Sequence, residues 1–268
     1  MRASEPAGGR GGIRTHERVA PLSVFKTDAF VRSATLPDAG YAVKASRWSR
    51  SIVRMLTAPV LQGTLVRLEP LSGEHVEGLA AAAAEDRSTY AYTWVPDGIE
   101  DADRYVRGAL IEQAEGRSLP FAVRLLDEDR VVGSTRFLDL GAFSWPPPWP
   151  PGGYPGSVPS DDEPPTVGEI GGTWYAASSQ RTGVNTECKV LMLSHAFDPW
   201  GAVRVTLKTD ARNGRSQRAI ERLGAVFEGV RRAHVPTIDG TIRDSAYYSI
   251  LKEEWPAVRE RLEQLLRR

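Results

Sequence analysis

The sequence predicts a single α/β or α+β domain built on a mixed sheet, and three observations predict it. Segments with strand alternation and segments with helical periodicity interleave from about residue 55 onward, the pattern of a sheet flanked by helices. Two pairs of strand-like runs are joined by short turns, so part of the sheet is antiparallel. The run at 167–187 reads instead as a strand, a turn and a Gly-bearing loop that opens a helix. There, unsatisfied N–H groups and the positive end of the helix dipole favour an anion.

The elements follow in order. Residues 64–70 alternate as a strand, and 71–84 form a helix with Ser72 as N-cap. Residues 99–115 form a second helix. Two apolar strands, 119–126 and 130–138, make a hairpin around Asp127, Glu128 and Asp129. After the strand 167–175, a helix over 186–197 places Val190, Leu193 and Phe197 on one face and stops before Pro199. Val203, Val205 and Leu207 alternate with Arg204, Thr206 and Lys208, a strand with one exposed face. The helix 216–223 ends at Gly224. Strands 225–235 and 242–251 turn at Asp239–Gly240, and a last helix, 254–266, carries Pro256 in its first turn. These segments give a sheet of about six to seven strands.

Composition removes several function classes. The 268 residues are 41% hydrophobic and 25% charged with a formal net charge of zero, so nothing global calls for a nucleic-acid or membrane partner. The lone Cys188 excludes an intrachain disulfide, and four scattered histidines have no metal-ligand spacing, so no metal is expected. The longest apolar run, 80–84, is too short to span a bilayer, and no secretory apolar core is present. A cytoplasmic location is the expectation.

Two segments stand apart. Residues 1–54 carry 10 Lys+Arg against 4 Asp+Glu, while the remaining residues carry 24 against 30. That arm reads either as a disordered RNA-binding segment or, preferably, as a peptide outside the native protein. Its runs G-I-R-T (12–15), V-F-K-T (24–27) and S-A-T-L-P (33–37) resemble translation of a tRNA gene in reverse, which puts the native start at Met55. The second segment, 141–165, holds nine prolines and forms a long loop. Its Trp145, Trp149 and Tyr154 either wall the substrate site or pin the loop to the surface.

Five runs, in this order and spacing, carry a family resemblance over about residues 60–252: E-I-G-G-T-W (169–174), Q-R-T-G-V-N-T-E (180–187), K-T-D-A-R-N-G-R-S (208–216), A-I-E-R-L-G-A (219–225) and R-D-S-A-Y-Y-S-I-L (243–251). Together they resemble the GNAT acyltransferases, closest to the branch of ribosomal-protein N-terminal acetyltransferases (Rim-type). The resemblance implies a GNAT fold and acetyl-CoA as co-substrate. It implies an amine acceptor, either a protein N-terminus or a small molecule, attacked directly in a ternary complex. It leaves room for a homodimer. Rival readings are a non-catalytic acyl-CoA-binding or regulatory module, and a transferase of another acyl group such as succinyl.

By the same resemblance, Gln180, Arg181, Thr182, Gly183, Val184 and Asn185 supply backbone donors to the coenzyme pyrophosphate. Gly183 stands at the invariant glycine, and Asn185 replaces the usual Gly or Ala, where it is expected to tolerate the turn and cap the helix. Backbone groups of Thr173, Trp174 and Tyr175 are expected to hold the pantetheine arm and polarise the thioester. Asn213 and Ser216 match an N-x-x-S pattern, with Asn213 on the coenzyme and Ser216 as acid to the thiolate, directly or through water. Ile220 occupies the position where many relatives carry a tyrosine acid. Glu169 is the preferred base, with His234 as a second candidate. His195 is read as a satisfied structural histidine. Cys188, in a first helical turn, is expected to have a pKa lowered by the dipole, and to serve packing.

Overall fold

The computed structural model describes residues 56–143 and 161–267. The arm 1–54 and the central part of the proline-rich loop, with Trp145, Trp149 and Tyr154, lie outside the described residues.

Among the described residues eight strands form one sheet: β1 (Leu61–Gln62), β2 (Val66–Pro70), β3 (Ser118–Leu125), β4 (Arg130–Gly141), β5 (Val167–Tyr175), β6 (Arg204–Asp210), β7 (Val226–Pro236) and β8 (Ile242–Leu251). Their spatial order is β1-β2-β3-β4-β5-β6-β8-β7. Every neighbouring pair is antiparallel except β5–β6. The sheet is therefore mixed, as expected, with the two-residue β1 as the added strand. Among the described residues five α-helices flank it: α1 (Val76–Ala84), α2 (Ile99–Ala114), α3 (Val184–Phe197), α4 (Gly214–Leu223) and α5 (Trp255–Leu266).

Local chemistry sets the ends of these helices. A 3-10 turn over Gly73–His75 precedes α1, and the His75 ring takes the Ser72 N–H at 3.0 Å, where a capping box normally uses Glu. Gly224 closes α4 in the left-handed conformation (φ 100°), which any side chain would disfavour.

Alternation along β4 sorts the helices onto two faces. Ser134 and Arg136 meet α2 through Tyr105 and Glu112, whereas Thr135 between them meets α3 through Lys189. Helices α1 and α2 thus cover one face over β3 and β4, and α3 lies on the other, packed with α5. The core between the layers includes the fully buried Phe121, Phe137, Met192, Leu193, Tyr248 and Leu262. No helix among the described residues is long and apolar enough to cross a membrane.

Candidate active site

The parallel pair β5–β6 is where the sheet opens. Their register runs Val167↔Arg204, Gly168↔Val205 and Glu169↔Thr206, and then stops. Beyond that rung β5 stays paired to β4 as far as Tyr175, and β6 to β8 as far as Asp210. The two strands therefore part into a fork whose inner edges face no neighbouring strand. On the β5 arm the register with β4 shifts between Ser134/Trp174 and Arg136/Gly171, leaving Gly172 and Thr173 as a bulge. Gly172 has φ 57°, and a Cβ there would come within 2.9 Å of Arg136 Nε, so glycine is required twice over.

The three residues expected to serve the arm differ in availability. Thr173 is half-buried on the bulge, while Trp174 is buried against Tyr90 and Tyr105. The Tyr175 carbonyl already accepts from Tyr90 Oη (3.0 Å) and Gln180 Nε2 (3.0 Å). It is not a free group for a ligand.

The loop after β5 delivers the N-terminus of α3 to the mouth of the fork. Arg181 adopts a left-handed backbone (φ 64°) and turns the chain into Gly183, the N-cap. Two expected donors are already used: Gln180 N–H bonds Ala177 O (3.2 Å), and Val184 N–H bonds Thr182 Oγ1 (3.2 Å). The N–H groups of Gly183, Asn185 and Thr186 remain as helix-start donors with no acceptor in the helix itself. Asn185 does not cap the helix; it lies one residue inside the first turn, with Gly183 in the cap position.

A second helix start flanks the same mouth. Asn213 caps α4, accepting the Ser216 N–H at 3.0 Å, so its Oδ1 is committed to the helix. Ser216 sits half-buried in the first turn. Between them, Arg215 reaches Thr89 O (2.6 Å) and Gln180 Oε1 (3.4 Å), which ties α4 to the loop of the β5 arm.

Glu169 lies at the base of the fork and shares a face with Lys208 on β6, at 2.8 Å between Oε2 and Nζ. Its partner in β4 is Leu138, which alternates with Arg136, so Glu169 points to the α1/α2 face. Burial pushes the Glu169 carboxyl above its ordinary pKa, against the pull of Lys208. Lys208 also faces the Tyr247 ring, whose hydroxyl lies 3.2 Å from His234 Nε2. His234 Nδ1 lies 3.0 Å from Ser245 Oγ, and burial together with Lys208, Arg231 and Arg243 lowers its pKa, so the ring is neutral at pH 7. Glu169 and His234 are thus brought together through Lys208 and Tyr247. Ser216, beyond the far end of β6, makes no contact with either among the described residues. An open depression of about 490 Å³, with Tyr90, Trp94, Asp97 and Asp101 in its wall, lies beside the β5 end, which Tyr90 touches.

Two charged residues on α3 escaped the sequence reading because periodicity marks charges as solvent-facing. Glu187 is buried and accepts from Thr64 N, Thr64 Oγ1, Leu65 N and Val66 N at 2.7–2.9 Å. Lys189 is buried with no carboxylate partner among the described residues, and its Nζ donates to Thr173 Oγ1 (2.8 Å) and Thr135 Oγ1 (3.2 Å). Burial pulls its pKa down to about 8. The lowered pKa expected for Cys188 is corrected: burial pushes the thiol up to about 12, while its burial agrees with the expected packing role. His195 is also corrected. Its ring packs on Phe137 and Trp200, but its Nε2 has no hydrogen-bond partner among the described residues.

A parted parallel pair with a helix N-terminus at its mouth can be set against known proteins. Residues 66–226, more than half of the chain, match the profile of the acetyltransferase (GNAT) domain. The chain belongs to the GNAT acetyltransferase family. A crystal structure of a GCN5-related N-acetyltransferase from Brucella melitensis superposes with a TM-score of 0.64 at 28% identity, covering 79% of this chain and 87% of that one. Mycobacterium smegmatis RimJ, crystallised with CoA-disulfide, shares the fold at 20% identity with a TM-score of 0.58, over 77% of this chain and 93% of its own. Among curated proteins, the one named "Putative ribosomal N-acetyltransferase YdaF" of Bacillus subtilis is 31% identical over 84 residues, 31% of this chain. That alignment spans 45% of the relative's length, and it agrees with the Rim-type resemblance of the sequence.

Proposed function

We propose that this GNAT protein is an acetyl-CoA-dependent N-acetyltransferase that moves the acetyl group directly to a primary amine in a ternary complex. The observation that carries the reading is the fork: the β5–β6 register ends at Glu169↔Thr206, and the α3 N-terminus stands at its open end. A slot with free backbone groups along one arm suits the amide-bearing pantetheine chain, and the helix start suits the pyrophosphate. A Cβ added at Gly183 would meet Leu65 Cδ1 at 2.7 Å, the movable end of a flexible side chain, so the protein itself tolerates a side chain there and only a bound anion would exclude one.

The two substrates would meet from opposite faces. The coenzyme enters on the side of α3, and the amine approaches from the α1/α2 face, where Glu169, Lys208 and the Trp94–Asp97 depression lie. Glu169 takes the proton of the incoming ammonium, a task that its raised pKa suits. The amine nitrogen then attacks the thioester carbonyl carbon, the C–S bond breaks, and the remaining extra proton of the nitrogen passes to the departing thiolate, relayed by Ser216 directly or through water, so Ser216 ends the cycle as a hydroxyl. An α-amine, with an ordinary pKa of about 7.7–8.0, needs less help than a lysine at about 10.4. This favours N-terminal α-amines as acceptors. His234, neutral and bonded to Tyr247, orders the acceptor face as a second proton-accepting group.

Thiol release from acetyl-CoA tests the roles. Glu169→Gln and Ser216→Ala should each slow turnover while coenzyme affinity is kept; unchanged turnover in both would reject the assignments.

A further inference from the structure

The buried ammonium of Lys189 is the largest electrostatic feature that this mechanism leaves unused. Its two partners form a triangle with it: Thr173 Oγ1 at 2.8 Å, Thr135 Oγ1 at 3.2 Å, and the two hydroxyls 2.8 Å apart. An ammonium donates and cannot accept, so both hydroxyl oxygens receive from Lys189. Thr135 is fully buried, and apart from Thr173 its acceptor among the described residues is Met192 Sδ at 3.5 Å, a weak one. Its proton is therefore best placed on Thr173. Thr173 Oγ1 then accepts twice, and its own proton must leave the triangle. Its acceptor among the described residues is Gly171 O at 3.4 Å, too long for a good O–H···O bond. Thr173 is half-buried on the bulge of the β5 arm, where the strand edge is open.

From this geometry we infer that the Thr173 hydroxyl is a hydrogen-bond donor to the thioester carbonyl oxygen, held in its donating orientation and polarised by the Lys189 ammonium behind it. The inference rests on the acetyl-transfer reading above. Thr173 touches the substrate, and Lys189 acts through it as a positioning residue. As the amine nitrogen bonds the carbonyl carbon, negative charge grows on the carbonyl oxygen, and a donor backed by a cation in a dry setting stabilises that charge more than the neutral ground state. The charge returns to the carbon as the C–S bond breaks, and Thr173 keeps its proton throughout. The low pKa of Lys189 reflects the cost of holding a charge there without a carboxylate, a cost that packing alone does not explain.

The test is a mutant cycle on the full-length protein, with acetyl-CoA and an accepted amine, reading kcat, KM for acetyl-CoA, the Kd of free CoA and the thermal midpoint. Thr173→Val should lower kcat about a hundredfold, and Thr173→Ser should restore it to within about threefold, with free CoA binding unchanged in both. Lys189→Met should lower kcat about tenfold although it removes a buried charge and raises the thermal midpoint. In the double variant the loss should equal that of Thr173→Val alone, because Lys189 works through that hydroxyl. Independent, multiplying losses, or a Lys189→Met enzyme with wild-type kcat, would overturn the inference. Wild-type protein that transfers no acetyl group would instead reject the functional reading beneath it.

Discussion

Glu169, on the last rung before β5 and β6 part, meets Lys208, two residues beyond its rung partner Thr206, at 2.8 Å. One strand presents a carboxylate and the other an ammonium at the point where the slot begins, so the pair marks the floor of the site. Lys208 keeps its proton because Glu169 raises its pKa against the effect of burial.

The pH profile of kcat/KM should report that pair. The Glu169 carboxyl stands above the ordinary carboxylate range, so activity should fall as pH drops through its raised pKa. Lys208→Met removes the group that pulls this pKa down, and the acid limb should move to higher pH. A limb that stays in place, measured with the same acceptor, would separate Glu169 from proton transfer.

Glu187 predicts a stability loss without a direct catalytic one. Its carboxylate takes three backbone N–H groups and one hydroxyl from residues 64–66, which anchors the start of β2 to α3. Glu187→Ala leaves those donors unmatched and should cost about 3 kcal/mol in urea unfolding. A loss below about 1 kcal/mol would show that water replaces the carboxylate.

Lys189 predicts the opposite sign. Its folded pKa of about 8 lies below the ordinary 10.5, so protonation favours the unfolded chain. The penalty is full below pH 8 and fades as pH rises toward 10.5. Lys189→Met should therefore be more stable than wild type by about 3 kcal/mol near pH 7, with the gap closing above pH 9. A gap that is constant with pH, followed by thermal unfolding, would mean that the Lys189 pKa is the same in the folded and the unfolded chain.

The elements with strong local chemistry were legible in the sequence. The bounds of β5 and β8 agree with the sequence and Gly224 stops α4, whereas α4 starts at Gly214 behind the Asn213 cap, two residues before the expected start. The fork was legible through family resemblance alone, since it is made of backbone groups whose side chains carry no signal. The buried charges were not legible. Periodicity assigns Glu187 and Lys189 to solvent, but α3 lies against β1, β2 and β6, so its buried surface is wider than the Val190–Leu193–Phe197 stripe, and Val190 is itself half-exposed. Cys188 shows the same limit: position in a first turn says nothing of burial, and burial decides its pKa.

Gly183→Glu tests the loop by itself. Gly183 has φ −66°, which any residue adopts, and a new Cβ meets the movable end of the Leu65 side chain. The variant should stay folded, with a thermal midpoint within a few degrees of wild type, about 1 kcal/mol or less. The added carboxylate stands at the helix start, and acetyl-CoA binding should disappear. Retained affinity by calorimetry would place the pyrophosphate elsewhere.

The most direct measurement is thiol release from acetyl-CoA by the wild-type protein against a panel of N-terminal peptides, polyamines and aminoglycosides, with mass spectrometry of the amine. The account predicts one thiol per acetylated amine, highest with N-terminal peptides and strongly reduced in Glu169→Gln. Tight acetyl-CoA binding with no acetylated product from any amine would contradict it, and would make the fork a coenzyme-binding module without chemistry.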